Sequence, residues 1–161
     1  MTAAITVDLV LAPTPAVREL VGELEAELSR HYPAEQRHGL ALDAIFAPHI
    51  RFFVAAVGGR PAGCGGVALL EDFAELKRMY VRPEFRGRGV ADAILDRLTR
   101  AAVAAGHSLF RLETGTKQDA AMRFYARHGF ERRGPFEPYA SMPTASILGS
   151  VFMEKRTSSA T

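Results

Sequence analysis

Apolar positions along the chain alternate between a strand period and a helix period, and the changes of period mark the elements. Ile5 to Leu11 is β-branched and partly alternating, which predicts a first strand. Thr14 and Pro15 stand where a cap and a first helical residue belong, and Val17, Leu20, Val21, Leu24 and Leu28 share one face of a helix reaching about Arg30. Its polar face carries Glu19, Glu23, Glu25 and Glu27 and is expected to be solvated. The periodicity then breaks. His31 to Leu40 concentrates polar side chains and reads as a loop that either selects a substrate or merely connects, followed by a short helical piece. Ile50 to Val57 is a strongly apolar strand, Gly58-Gly59-Arg60-Pro61 a hairpin turn, and Ala62 to Glu71 its return strand.

A fourth strand is expected at Glu75 to Val81, closed by Pro83, which disfavours helix at Arg82. Beyond Gly89, Val90, Ile94, Leu95, Leu98, Ala101, Ala102 and Ala105 form an apolar stripe opposite Asp92, Asp96, Arg97 and Arg100, and Gly106 ends that helix. Leu109 to Thr114 predicts another strand. A last helix follows, with Thr116 and Asp119 as a capping box, Ala121, Phe124, Tyr125 and His128 on one face, and Gly129 as its stop. Phe130 starts a terminal hairpin whose second strand is Ile147 to Lys155, the connection from Gly134 to Thr144 being Pro-rich and aromatic. The sum is an α/β chain with a mixed sheet.

Composition narrows the class. Of 161 residues, 48% are hydrophobic and 24% charged, ordinary values for one globular domain, expected over 1–156 with a small polar, mobile tail at 157–161. No run approaches the ~18 apolar residues of a membrane span. The N-terminus lacks the basic start and apolar run of a secretory signal, so a cytoplasmic location is expected, with no membrane partner. Cys64 is alone and better suited to packing than to nucleophilic attack. His31, Glu35 and His38 match no zinc spacing, so no metal is expected. The net charge of +2 argues against a general polyanion binder, yet Lys77 to Arg88 holds five Lys or Arg against one Glu. Nucleic acid is disfavoured because no aromatics interleave with those arginines.

That basic stretch carries the clearest chemistry. A helix's first turn has N–H groups without intrahelical partners and the positive end of the helix dipole, so an anion is favoured there. Gly87 and Gly89 let the backbone approach phosphate oxygens, Arg86 and Arg88 add forked cationic donors, and Val90 and Ala91 open the helix. The competing reading is a solvated basic turn before an ordinary amphipathic helix. Gly87-Arg88-Gly89-Val90-Ala91 is followed by Asp92, not the third Gly or Ala of a dinucleotide fingerprint, and no Gly-Lys-Ser/Thr is present.

Arg86, Gly89 and Ala91 do match R-x-x-G-x-A, which resembles the acyl-CoA-binding motif of the GNAT superfamily of N-acyltransferases. The stretch from Gln118 to Phe130 resembles that family's N-x-x-A-x-x-x-Y-x-x-x-G-F, with Ala121, Tyr125, Gly129 and Phe130 in place and Gln118 where Asn is usual. The resemblance implies a mostly antiparallel mixed sheet with flanking helices and a splayed parallel pair, here Glu75–Val81 and Leu109–Thr114. Between those strands would lie the pantetheine arm of acetyl-CoA, the acyl donor, on the backbone of Met79 and Val81 and the side chain of Gln118. Phosphates would sit on Arg86, Gly87, Arg88, Gly89, Val90 and Ala91.

The implied reaction is attack of a neutral amine on the thioester, and an alkylammonium with a pKa near ~10.4 must first lose a proton. By resemblance Glu75 is the base and Tyr125 the acid that protonates the departing thiolate, with Glu113 the other candidate carboxylate. Glu75 could instead be a strand-edge solubility residue or pair with Lys77 or Arg78. The acceptor is expected to be a small primary amine, with an amino acid or a polyamine as candidates, near Glu35, Glu113, Phe136 and Tyr139. A protein lysine or N-terminus is the alternative acceptor, a non-catalytic acyl-CoA-binding module the alternative class, and a homodimer an allowed assembly.

Overall fold

In the computed structural model, which describes residues 3–157, the strands are β1 (Ile5–Val10), β2 (Ile50–Val57), β3 (Arg60–Leu69), β4 (Ala74–Val81), β5 (Leu109–Gly115), β6 (Glu131–Arg133) and β7 (Ser150–Arg156). They form one seven-stranded sheet in the order β1-β2-β3-β4-β5-β7-β6. Every neighbouring pair is antiparallel except β4 and β5. The helices are α1 (Pro15–Ser29), α2 (Val90–Ala104), α3 (Asp119–Arg127) and the single turn α4 (Thr144–Ile147).

Adjacent residues of one strand feed opposite layers, because successive strand side chains point to opposite faces. Phe53 packs into a cluster with Val90, Ile94, Leu95 and Leu98 of α2, while its neighbour Phe52 packs with Val17, Leu20 and Leu24 of α1. The sheet is thus sandwiched between α1 and α2. A third cluster sets Phe136 and Tyr139, from the connection between β6 and β7, against Phe73 and Phe152. Cys64 is fully buried beside α1, and burial pushes its thiol up to about 12, in keeping with a packing role.

Several expectations need correction. The stretch after α1 forms two short 3-10 turns, Ala34–Gln36 and Ala44–Phe46, in place of an α-helix. β3 ends at Leu69, because Leu70 N–H turns back to the Phe73 carbonyl at 3.0 Å. The Thr116–Asp119 capping box does not form: α3 starts at Asp119 with Gln118 as its cap residue, and Thr116 N–H donates to the Gly149 carbonyl at 2.9 Å. The last two strands do pair as a hairpin, but β7 is inserted between β6 and β5. Of the tail, Thr157 is tied down by its N–H to the Ser108 carbonyl at 2.7 Å, and 158–161 lie outside the described residues.

The acidic face of α1 is not simply solvated. Glu23 and Glu19 hold Arg82 at 2.9 and 3.1 Å, Glu27 approaches Arg86 at 3.4 Å, and Glu25 pairs with both Arg37 and Arg78. The helix lies against the C-terminal half of β4, so its carboxylates neutralise part of the basic stretch. Arg86 and Arg88 remain exposed.

Candidate active site

The site begins with a break in the sheet. β4 and β5 pair in parallel over Ala74↔Phe110, Glu75↔Arg111 and Leu76↔Leu112, and then separate. The cause is on the other side of β4, where the register to β3 slips between Cys64↔Tyr80 and Gly66↔Lys77. Arg78 and Met79 therefore face the single residue Gly65, a bulge with Arg78 in the left-handed region at φ 56°. A bulge bends its strand and increases the local twist. The edge of Lys77–Val81 that faces β5 is left without a strand partner.

The gap opens toward α2. Gly89 caps that helix at φ 83°, no side chain caps the first turn, and Gly87 also has a positive φ of 76°. The uncapped first turn thus offers its N–H groups to a ligand, with no Cβ at either glycine to hinder approach. A cleft of about 580 Å³ runs from here past Met79, Val81, Arg86 and Ala91 to Gln118 and Tyr125. Arg86 reaches across it, donating from Nε to the Val81 carbonyl at 2.9 Å. Arg88 lies outside the cleft wall, with Cζ 5.6 Å from the centre of the Phe85 ring. Lys117 and Arg127 also line the cleft, cations that the sequence patterns had not singled out.

A second cavity, about 140 Å³, lies on the other side of the gap. Its walls include Glu113 and Thr114 from β5, Lys77 and Arg78 from β4, Tyr32, the segment Gln36–Gly39, and Gly149. Two glycines bring the walls together. A Cβ at Gly115 would fall 1.9 Å from the Tyr32 hydroxyl oxygen, and one at Gly149 would fall 3.0 Å from Gln36 Oε1. The polar stretch after α1 is therefore a cavity wall, tied to the far side of the molecule by His38 Nε2 to the Ser146 carbonyl at 2.7 Å.

The cleft and the cavity share Met79, Gln118, Ala121 and Tyr125. Tyr125 is 7% exposed, and burial alone drives its phenol well above the usual range, so the group holds its proton at any ordinary pH. Glu113 faces the cavity and accepts from Ser150 Oγ at 2.7 Å. Burial pushes its carboxyl up to about 7, against the lowering effects of the Ser150 hydrogen bond and Lys77, while the Glu75 charge adds to the rise. A carboxyl poised near neutrality has the acidity a general base requires.

The other predicted residues are placed differently. Glu75 is 3% exposed and lies outside both cavity walls. It accepts from the Tyr139 hydroxyl at 2.6 Å and pairs with Lys77 Nζ at 3.0 Å, while Lys77 donates to the same hydroxyl at 2.7 Å. The expected pairing with Lys77 is thus realised; Arg78 goes to Glu25 instead. Phe136 and Tyr139 are buried in the aromatic cluster rather than on the cavity wall, because the long connection folds inward on Phe73 and Phe152. Glu35 is exposed outside the cavity while its neighbours Gln36 and Arg37 line it. Among the described residues no group of three metal-ligating side chains converges, and no helix is long and apolar enough to cross a membrane.

A splayed parallel pair above a glycine turn and a helix N-terminus is the arrangement of an acyl-CoA N-acyltransferase, and the comparisons with known proteins agree. Residues 15–130 match the model of the Acetyltransferase (GNAT) family, and the chain belongs to that family. It is 42% identical over 142 residues to a protein of Azospirillum brasilense named IAA acetyltransferase, covering 87% of this chain and 90% of the relative. A Klebsiella pneumoniae structure bearing the name of an acyl-CoA N-acyltransferase superposes with a TM-score of 0.74 at 30% identity, covering 94% of this chain and 97% of the other. The PaiA N-acetyltransferase of Thermoplasma acidophilum, solved with coenzyme A, shares the fold with a TM-score of 0.74 at 17% identity, over 95% and 99% of the two chains.

Proposed function

We propose that the protein transfers an acetyl group from acetyl-CoA to the primary amine of a small metabolite by direct attack. The observation that carries this reading is the shared wall: Tyr125, Met79, Gln118 and Ala121 border both the long cleft and the small cavity, so a donor and an acceptor meet there. The donor supplies an activated thioester carbonyl. Gly87, Gly89, Val90 and Ala91 would hold its pyrophosphate with backbone N–H groups, Arg86 and Arg88 would add charge, and Met79, Val81 and Gln118 would align its arm.

Glu113 is the general base in this reading. It takes a proton from the ammonium, the amine nitrogen bonds to the carbonyl carbon, the carbon–sulfur bond breaks, and Tyr125 gives its proton to the leaving sulfur. Glu113 releases the first amine proton to solvent, and the second, lost by nitrogen as the amide forms, replaces the one Tyr125 gave up. Glu75 acts one step back, holding Lys77 of the cavity wall together with Tyr139. The small cavity and the relative named IAA acetyltransferase support a small acceptor over a protein lysine or N-terminus. A catalytic role is favoured over simple acyl-CoA binding by a carboxyl raised toward neutrality and a protonated phenol lining one cavity.

The test is an amine panel with acetyl-CoA, read as free thiol release and confirmed by mass spectrometry of the product. Turnover of one or more small amines is the expected result. Acetyl-CoA binding with no turnover of any small amine, but transfer to a peptide lysine or N-terminus, would overturn the small-acceptor reading.

A further inference from the structure

We infer that the acceptor carries a carboxylate beside its amine, as an amino acid does, and that Arg78 and Arg37 bind it. This rests on the small-amine reading of the same cavity. Arg78 leaves the β4 bulge with a side chain only 6% exposed. Its Nε and Nη2 donate to the Leu40 carbonyl at 3.1 and 2.7 Å, and Nη2 also pairs with Glu25. Its Nη1 has no partner and is shielded from solvent. Arg37 repeats the pattern: Nη1 meets Glu25 at 3.3 Å, while Nε is buried without a partner.

Buried guanidinium N–H groups without acceptors are costly, and such exceptions call for a reason. Charge points to the same ligand. Two guanidinium groups share one carboxylate, Glu25, and the neighbouring cation Lys77 is already matched by Glu75. With Glu113 given to the ammonium of the substrate, one positive charge is left over at the cavity wall. A ligand carboxylate would cancel it and accept from the two unpaired nitrogens, whereas a polyamine would bring further positive charge against it.

The cavity has the volume of one small molecule. Arg37, Arg78 and Glu113 line the same cavity of about 140 Å³, close to the ~150 Å³ that accommodates a benzene ring. An amine at Glu113 and a carboxylate at the arginines can therefore belong to one amino acid. Gly39 rests against the Arg78 guanidinium so closely that a Cβ would fall 2.2 Å from Cζ. Both nitrogens are covered, so binding would require Arg37–Leu40, which has no regular secondary structure, to move outward and release the Leu40 carbonyl from Arg78.

The experiment compares alanine, leucine, methionine and phenylalanine with their carboxamides and decarboxylated amines, using wild type, Arg78→Gln and Arg37→Gln. In the wild type at least one amino acid should exceed both of its analogues in kcat/KM by at least about 30-fold, the low end expected for breaking a buried charge pair. The carboxamides carry the less basic amines and more of their neutral form, so simple amine reactivity predicts the reverse order. Each arginine variant should lose most of that preference through KM, while turnover of the decarboxylated amines persists as proof of a folded, active site. Equal or better use of the decarboxylated amines by the wild type would overturn the inference and leave the small-amine acetyltransferase reading intact. Loss of both substrate series in equal proportion in Arg37→Gln, with circular dichroism unchanged, would also overturn it. No turnover of any compound would overturn both readings together.

Discussion

Replacing Glu113 by Gln separates catalysis from stability in a single variant. Burial holds the Glu113 carboxyl near 7 against an ordinary 4.5, a difference that corresponds to about 3 kcal/mol at most. The folded protein keeps this proton between pH 4.5 and 7 while the unfolded chain releases it. The unfolded state therefore binds fewer protons in that window, and stability falls as pH rises through it, levelling off above about 7. Gln carries no charge and can still accept from Ser150, so Glu113→Gln should gain stability relative to the wild type only as pH rises. At roughly 2–4 °C per kcal/mol for a chain of this size, the variant should melt about 5–10 °C higher than the wild type at pH 8 and nearly together with it at pH 4.5. Melting curves by circular dichroism across that range read the difference directly. In parallel, kcat should fall by about 10²-fold or more and lose the rise toward neutral pH that reports a carboxyl becoming a base. A melting difference independent of pH would refute the raised acidity constant, and a wild-type pH profile in the variant would refute the base.

Three further outcomes are expected. Glu75→Gln should keep the pH-dependent rise but move it to lower pH, since the Glu75 charge helps to raise Glu113, and should lower stability by roughly 3 kcal/mol, because it strands Lys77; a collapse of kcat without loss of stability would return the base to Glu75. Tyr125→Phe should lower kcat by ~10²-fold with little change in KM for acetyl-CoA, and since burial raises the phenol's pKa, neither protein should show an alkaline limb from this group; full kcat when chemistry is rate-limiting would remove Tyr125 from the reaction. Gly89→Glu should abolish coenzyme A binding in calorimetry, since it forces a side chain into a backbone at φ 83° and sets a carboxylate at the helix N-terminus; unchanged affinity in a folded variant would reject the phosphate turn.

Local signals in the sequence settled what depends on short range. The cap at Thr14 and Pro15 is found as read, with Thr14 Oγ1 accepting from Val17 N–H at 3.3 Å, because the chemistry of a helix start is contained within a few residues. The same holds for the glycine turn before α2, where positive φ at Gly87 and Gly89 could be anticipated from residue type. The apolar stripes of α1 and α2 likewise fixed which faces are buried.

What depended on long-range pairing was decided only by the fold. The bulge at Arg78 and Met79 that parts β4 from β5 has no local mark, since Arg is an unusual choice for positive φ and its side chain is held by Leu40 and Glu25, far away in sequence. Glu75 and Glu113 look alike as residues at strand positions, yet one is locked under Tyr139 and Lys77 while the other faces a cavity. That difference arises from strand twist and from the inward fold of the β6–β7 connection. The fate of the α1 carboxylates was equally invisible, because an ion pair between Glu23 and Arg82 exists only once helix and strand have been packed together. Sequence determines elements through contacts a few residues apart; which polar groups become partners, and which are left unpaired to meet a ligand, is set by the tertiary arrangement that removes them from water.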